Sequence, residues 1–189
     1  MHSAILTHVT PADACSSPRP SADEPSFRLD VPVLADADAL AEVHNQAWRE
    51  AYAGIVPQAA FDDAALERRR SMWHRILETW DADLLHERIR IGRRPGGAPL
   101  GFLMIGPALD EDAPRSVQLQ TLNVLASSHG SGLAQAMVAD LLGDRPAYLW
   151  VVEANPRARR FYEKVGFAAD GGVTVDASLG DLREIRMSR

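Results

Sequence analysis

A bend of small residues joins a strand-like segment to a helix-like segment in the second half of the sequence. The bend, residues 129–134, reads His-Gly-Ser-Gly-Leu-Ala, and apolar residues recur at helical spacing after it. The first N–H groups of a helix have no partner inside it and carry the positive end of its dipole, and small residues let an anion reach them. The bend therefore predicts a site for two linked phosphates. The predicted donors are the N–H groups of Gly130, Ser131, Gly132, Leu133 and Ala134.

Two other interpretations of the bend are open from the glycines alone. Glycine is also favoured in a tight turn that needs a positive φ, and short glycine motifs are common. The bend lacks the Gly-Lys-Ser/Thr of a P-loop and the third glycine of a dinucleotide-binding fold. The alternatives are therefore a turn without a ligand and a site for another phosphate ligand, which would bind nucleotides.

A second group of polar residues shares one face of a predicted helix. Asn155, Ala158 and Tyr162 stand at positions i, i+3 and i+7, whereas Phe161 and Val165 form a different stripe that is predicted to be core. The face with the tyrosine is predicted to look into the gap beside the fourth strand. A tyrosine packed at the surface with a solvated hydroxyl is the alternative.

Both segments resemble the GNAT superfamily of N-acetyltransferases. "VQLQTLNVLASSHGSGLAQAMV" resembles the acetyl-CoA motif of that family, Arg/Gln-x-x-Gly-x-Gly/Ala after a strand that ends Leu-x-Val. "LWVVEANPRARRFYEKVGF" resembles the strand and helix in which Asn-x-x-Ala-x-x-Phe-Tyr recurs before Gly-Phe, and "AWREAYAGIVP" resembles the first helices of one bacterial branch. The resemblance covers Phe27 to Arg189, and its motifs are specific for the cofactor rather than for the substrate.

The resemblance implies an enzyme that uses acetyl-CoA and releases coenzyme A. It implies that the bend binds the pyrophosphate, that Asn155 contacts the pantetheine arm beside Ala158, and that Tyr162 donates a proton or hydrogen bond to the departing sulfur. The implied reaction is direct attack on the thioester by a neutral primary amine of a small molecule, a peptide or a protein. A homodimer is left open, because many relatives pair through their C-terminal strands.

The resemblance also implies backbone contacts from the fourth strand. Splaying of the parallel strands after Leu122 would leave the Val124 N–H free to hold the thioester oxygen, as an oxyanion hole does. Leu122 and Asn123 would flank the pantetheine through their backbones.

The acceptor amine needs a base, and here the sequence departs from the family pattern. An amine with a pKa of about 10.4 is only about 0.04% neutral at neutral pH, so a side chain or a water relay has to remove its proton. Many relatives carry Glu where this chain has Gln118, whose amide cannot accept a proton. Glu153 is the predicted replacement and His44 the second candidate. The alternatives are an ion pair for Glu153, a core position for His44, a water chain, or an acceptor of low pKa.

Three other residues bear on the substrate and the cofactor. Trp48 and Tyr52 lie four residues apart in the region that walls the acceptor pocket in the family. Gln118 is assigned to the same substrate side. As an alternative, Trp48 and Tyr52 are aromatic residues of the hydrophobic core. His129 stands where the family has Arg or Gln, and a mostly neutral histidine predicts weaker cofactor binding. Gln118 and His129 also support an alternative function, a catalytically weak CoA-binding module for regulation or interaction.

Composition limits the function classes. The 189 residues carry 20 Lys and Arg against 26 Asp and Glu, a formal net charge of −6, which argues against nucleic-acid or anionic-membrane binding. Cys15 is the single cysteine, so an internal disulfide or a cysteine zinc cluster cannot form, and no metal site is expected. Apolar runs are far shorter than the about 20 residues of a membrane span, and an export signal is missing. A cytoplasmic protein is expected.

One domain is predicted over residues 27–189. Residues 1–26 are rich in Pro, Ser, Ala and Asp and are predicted to be a mobile or loosely packed extension. The hydrophobic periodicity gives the order β-α-α-β-β-β-α-β-α-β-β. Together with the resemblance, this order predicts an α/β (α+β) fold: a mixed, mostly antiparallel seven-stranded sheet with a parallel splay between the fourth and fifth strands and helices on both faces.

Overall fold

The computed structural model describes residues 27–95 and 97–189, and the predicted extension, residues 1–26, lies outside the described residues. The strands within them are β1 (Arg28–Asp30), β2 (Ile89–Arg93), β3 (Pro99–Pro107), β4 (Val117–Val124), β5 (Tyr148–Val152), β6 (Ala168–Asp176) and β7 (Leu182–Ser188). The α-helices within them are α1 (Ala37–Tyr52), α2 (Asp63–Thr79), α3 (Ala82–Arg88), α4 (Leu133–Leu141) and α5 (Pro156–Lys164).

The strands form one mixed sheet in the order β1-β2-β3-β4-β5-β7-β6. Neighbouring strands run antiparallel, except for β4 and β5, which run parallel. The parallel strands are in register at Gln118 and Tyr148, where the Tyr148 hydroxyl donates to Gln118 Oε1 at 2.9 Å, and they diverge beyond this point. The predicted fold class, with its splay between the fourth and fifth strands, is confirmed.

A β-bulge bends β4 where the splay begins. Thr121 pairs with Met104 of β3 and Leu119 pairs with Ile105, so Gln120 is the extra residue between the two pairs. A bulge bends its strand and increases the local twist. The bulge therefore helps β4 to turn away from β5.

Buried apolar side chains cover both faces of the sheet. Successive side chains of a strand point to opposite faces, and in β3 Phe102 and Met104 belong to the core under α1, α2 and α3, whereas Leu103 and Ile105 belong to the core under α4 and α5. The helices contribute apolar stripes with the expected helical spacing. The stripe of α1 consists of Ala37, Leu40, Ala41, Val43 and Ala47. The predicted arrangement of helices on both faces is thus present.

The structure adds one helix to the sequence prediction and shortens one strand. Helix α3 has only seven residues, with Leu85 buried and Asp81 as its N-cap, whose carboxylate accepts from the Leu84 N–H at 2.8 Å. Such a short segment is too brief to show a helical period. The alternation in "FRLDVPVL", residues 27–34, predicts a longer first strand, whereas β1 ends at Asp30. Among the described residues, no helix is long and apolar enough to cross a membrane.

Candidate active site

The predicted bend is a loop between β4 and α4 that leaves open space above its glycines. Gly130 and Gly132 have φ angles of 79° and 86°, which glycine adopts without strain. A Cβ on either residue would meet no atom within 4 Å. Leu133 anchors the loop, since it is buried beside Gly92 of β2, where a Cβ would clash with the leucine side chain. The loop therefore exposes the N-terminal end of α4 to a ligand.

The backbone donors of the loop are partly engaged within it. The Ser131 N–H donates to the Ser128 carbonyl at 3.3 Å, and the Leu133 N–H lies 3.3 Å from Ser131 Oγ. Both bonds are long, so they are weak competitors for an incoming anion. Gly132 is the N-cap of the nine-residue helix α4, whose dipole favours negative charge at this end. The predicted anion site thus has suitable geometry.

His129 is neutral and is held by two partners. Its Nε2 lies 3.1 Å from the Val124 carbonyl, and its Nδ1 contacts the Arg157 guanidinium. A guanidinium only donates, so Nδ1 accepts and Nε2 carries the proton. Partial burial and then the charge of Arg157 lower the pKa of His129. The positive charge beside the loop therefore belongs to Arg157, on α5.

The loop and α5 line a cleft of about 320 Å³, here called the glycine-loop cleft. Its basic side chains all come from α5, across from the glycines, and they are Arg157, Arg160 and Lys164. An open helix N-terminus facing three cations forms an electrostatically favourable site for an elongated phosphate ligand.

A second cavity of about 180 Å³, here called the tyrosine pocket, is formed by side chains from several elements. Its lining includes Trp48 and Tyr52 from α1, Gln120 from β4, Val152 from β5 and Glu184 from β7. The two cavities share a wall, because both are lined by Leu122, Val124, Arg157, Ala158 and Tyr162.

Tyr162 contributes a hydroxyl group to the shared wall. Its ring is buried and packs edge-on against Phe161 and Phe167, with centroid distances of 5.3 and 6.0 Å. Burial, followed by proximity to Tyr52, raises its pKa well above that of an exposed tyrosine. Tyr162 therefore stays protonated and can act as a proton donor at the junction.

The sequence-predicted aromatic residues of α1 lie at the tyrosine pocket. The rings of Trp48 and Tyr52 are half-buried and edge-on, with centroids 5.2 Å apart. Burial raises the pKa of Tyr52, and a hydrogen bond with Asn155 opposes this shift. Asn155 is also the N-cap of α5, since its Oδ1 accepts from the Ala158 N–H at 3.0 Å. Helix α5 and helix α1 thus meet across the pocket.

The splayed end of β4 lines the same pocket. Leu122, Asn123 and Val124 all belong to its lining. The Leu125 N–H donates to the Leu100 carbonyl of β3 at 2.9 Å. Because successive N–H groups along a strand point to opposite edges, the Val124 N–H points toward the gap between β4 and β5.

Three predicted candidates lie away from the tyrosine pocket. Gln118 is buried, and its Oε1 accepts from the Tyr148 hydroxyl and, at 3.3 Å, from the Leu109 N–H. Glu153 forms an ion pair with Arg183 at 2.7 Å. His44 packs against Trp48 and Phe102 rather than lining the pocket, and burial, then Arg69, lowers its pKa to about 3. A histidine with so low a pKa is a weak proton acceptor.

Several lining residues are missing from the sequence predictions, among them Arg157, Gln120 and Glu184. Arg157 directly follows the N-terminal Pro156 of α5, and its position across from the glycine loop depends on how α5 packs. Gln118 is the residue predicted at the substrate side, but Gln120, the extra residue of the bulge, lines the tyrosine pocket instead. Glu184 lies in the last strand, whose pairing with β5 is a long-range contact. Periodicity within a strand carries no signal for such a contact.

Comparison with known proteins identifies similar sequences. Residues 40–167 match the sequence model of the acetyltransferase (GNAT) family. Two similar proteins of Mycobacterium tuberculosis are "Probable N-acetyltransferase Rv2775", 29% identical over 72% of this chain and 76% of the relative, and "Uncharacterized N-acetyltransferase Rv2669", 31% identical over 73% and 86%.

Solved structures share the fold. The N-acetyltransferase PaiA of Thermoplasma acidophilum, in complex with coenzyme A, aligns with a TM-score of 0.60 and 16% identity over 87% of this chain and 98% of that chain. A histone acetyltransferase HPA2-related protein of Corynebacterium glutamicum aligns with a TM-score of 0.62 and 20% identity over 86% and 95%.

Proposed function

The chain belongs to the GNAT family of acetyltransferases, and from this premise we propose that it transfers the acetyl group of acetyl-CoA to a primary amine by direct attack in a ternary complex. Family membership supports acetyl transfer as the general reaction and acetyl-CoA as the cofactor. The main support for direct transfer to an amine is that the glycine-loop cleft and the tyrosine pocket meet at Tyr162, which lines both.

The residues of the glycine-loop cleft fit the cofactor. The open space above Gly130 and Gly132 admits a pyrophosphate to the backbone, and Arg157 adds a charge that the neutral His129 does not supply. Asn155 would contact the pantetheine through its amide NH2, because its Oδ1 caps α5. Bound there, acetyl-CoA supplies an acetyl thioester.

The chain contributes positioning and proton transfer at the junction. The Val124 N–H, which points into the gap, would hold the thioester oxygen as negative charge develops on it. Tyr162, protonated because its pKa is raised, would donate its proton to the departing sulfur. Trp48 and Tyr52 would form the wall of the acceptor site. We propose that the acceptor enters through the tyrosine pocket and meets the thioester beside Tyr162.

Calorimetric titration with acetyl-CoA, followed by thiol release in the presence of a panel of primary amines, tests this proposal. Micromolar binding together with turnover on one or more amines is the expected result. Binding without turnover on any amine would contradict the transferase and favour a CoA-binding regulatory module. Binding of nucleotides in preference to acetyl-CoA would overturn the cofactor assignment.

A further inference from the structure

Glu184 is a carboxylate on the acceptor side of the site. It lies in β7 opposite Val152 of β5 and Thr174 of β6. Paired residues of neighbouring strands share a face, and so do alternate residues of one strand. Glu184 therefore lies on the face of Val152 and Leu182, two members of a buried cluster against which Tyr52 of α1 packs. Its side chain is half-buried between the sheet and α1, in the lining of the tyrosine pocket.

No cation neutralises this carboxylate within the described part of the chain. Arg183, the preceding residue, points to the other face and pairs with Glu153 at 2.7 Å, whereas no ion pair of the described residues includes Glu184. Burial, followed by repulsion from Asp176, raises the pKa of Glu184 above its ordinary value. Hydrogen bonds from Ser178 hold the pKa of Asp176 low, so its repulsion persists at neutral pH.

The other groups that line the tyrosine pocket leave Glu184 as its negative charge. Helix α1 contributes Tyr52 and helix α5 contributes Tyr162, both neutral because burial raises the pKa of each phenol. Helix α5 also contributes Arg157, an exposed residue whose guanidinium contacts His129. A half-buried anion without a partner favours a positively charged ligand beside it.

We propose that Glu184 binds the cationic form of the acceptor amine and accepts a proton from it, which makes primary amines that are charged at neutral pH the preferred substrates. This inference rests on the proposed acetyl transfer. It assigns the proton-accepting role to the last strand of the sheet, whereas the sequence alone favoured Glu153.

The proposed step conserves protons and electrons. The ammonium gives one proton to the carboxylate, which leaves a neutral amine with a free electron pair. The nitrogen forms a C–N bond with the acetyl carbon as the C–S bond breaks, and the sulfur leaves with the bonding pair and takes the Tyr162 proton. The second proton lost by the nitrogen restores Tyr162, and the proton on Glu184 passes to water when the amide departs.

The test compares Glu184→Gln with Glu153→Gln and with Glu78→Gln, a matched control on the exposed surface of α2. Thiol release is measured with alkylamines, including benzylamine, and with the arylamine aniline, which is already neutral at neutral pH. Because general base catalysis contributes about 100-fold or more, we expect Glu184→Gln to lower kcat/KM for the alkylamines about 100-fold and for aniline far less. In the wild type, activity should rise with pH through a pKa above the ordinary glutamate value of about 4.3, and this limb should be lost in Glu184→Gln.

Two binding measurements help to distinguish a failure of the Glu184 assignment from a failure of the proposed acetyl transfer. Unchanged calorimetric binding of acetyl-CoA would show that Glu184→Gln is folded, and benzylamine binding to the enzyme–coenzyme A complex should weaken about tenfold, as expected for a lost charge-assisted contact. Equal losses on alkylamines and aniline, or a large loss in Glu153→Gln with Glu184→Gln fully active, would overturn the inference and leave acetyl transfer standing. Wild-type protein that binds acetyl-CoA but acetylates no amine would overturn both.

Discussion

The glycine-loop cleft and the tyrosine pocket share one wall but are built in different ways. The glycine side of the cleft is a contiguous loop whose contribution is backbone geometry, with positive φ at Gly130 and Gly132. The tyrosine pocket is built from side chains of α1, β4, β5, α5 and β7. A local backbone motif accepts few substitutions, whereas a pocket of side chains from distant elements can change one residue at a time. We therefore expect substitutions in the loop to change acetyl-CoA binding and substitutions in the tyrosine pocket to change the reaction with the acceptor.

The largest effect that tests this comparison is expected at the loop. Gly132→Ala places a methyl group in the space that the cofactor needs, and the loss of two contacts to a charged group should lower acetyl-CoA affinity about 100-fold. Gly171→Ala is the matched control, because Gly171 also has a positive φ, 93°, and open space around it but lies in β6 outside both cavities. Strain should lower the stability of both variants by about 1–2 kcal/mol.

Isothermal titration with acetyl-CoA measures the affinity of the two glycine variants, and thermal unfolding measures their stability. Equal acetyl-CoA affinity in Gly132→Ala and Gly171→Ala would mean that the loop is only a turn.

A smaller effect is expected at the shared wall, where Arg157 supplies the charge that His129 does not. Arg157→Ala removes one exposed charge-assisted contact and should weaken acetyl-CoA binding about tenfold. The difference in acetyl-CoA affinity between the wild type and Arg157→Ala should decrease as salt is added. The pKa of His129 should rise in the variant, since Arg157 is one cause of its lowering. Arg75→Ala, an exposed site on α2, serves as the control, and an equal loss there would remove the specific role of Arg157.

The smallest effect concerns stability behind the tyrosine pocket. The folded-state pKa of His44 is lowered to about 3, whereas an unfolded histidine titrates near about 6.5. Below this value the unfolded chain binds a proton that the folded chain does not, so the free energy of unfolding falls as pH falls. From about pH 7 to about pH 5.5 the His44 contribution amounts to about 1 kcal/mol.

Urea unfolding of wild type and His44→Leu over this pH range measures that contribution. The variant should lose about 1 kcal/mol less than the wild type on acidification. Parallel curves for the two proteins would show that His44 is not buried as a neutral side chain.

The same difference in construction explains what could be predicted from the sequence. The glycine motif and the helix with Asn155 and Tyr162 are local patterns, so their positions and the fold around them followed from spacing and resemblance. Helix α3 was missed because seven residues are too few for a period. The placement of Glu153 and Glu184 depends on the register between β5 and β7, which pairs Val152 with Glu184. Registers join distant segments, and neither segment alone specifies them.

The two cavities meet at Tyr162, and thiol release by Tyr162→Phe, measured beside its calorimetric binding of acetyl-CoA, is the decisive test of the proposed proton donation at that junction. The variant removes one hydroxyl from a buried ring that otherwise keeps its packing. Loss of a proton donor should lower kcat about 100-fold, while acetyl-CoA affinity remains that of the wild type. Full turnover by Tyr162→Phe, or loss of cofactor binding in step with activity, would rule out Tyr162 as the proton donor.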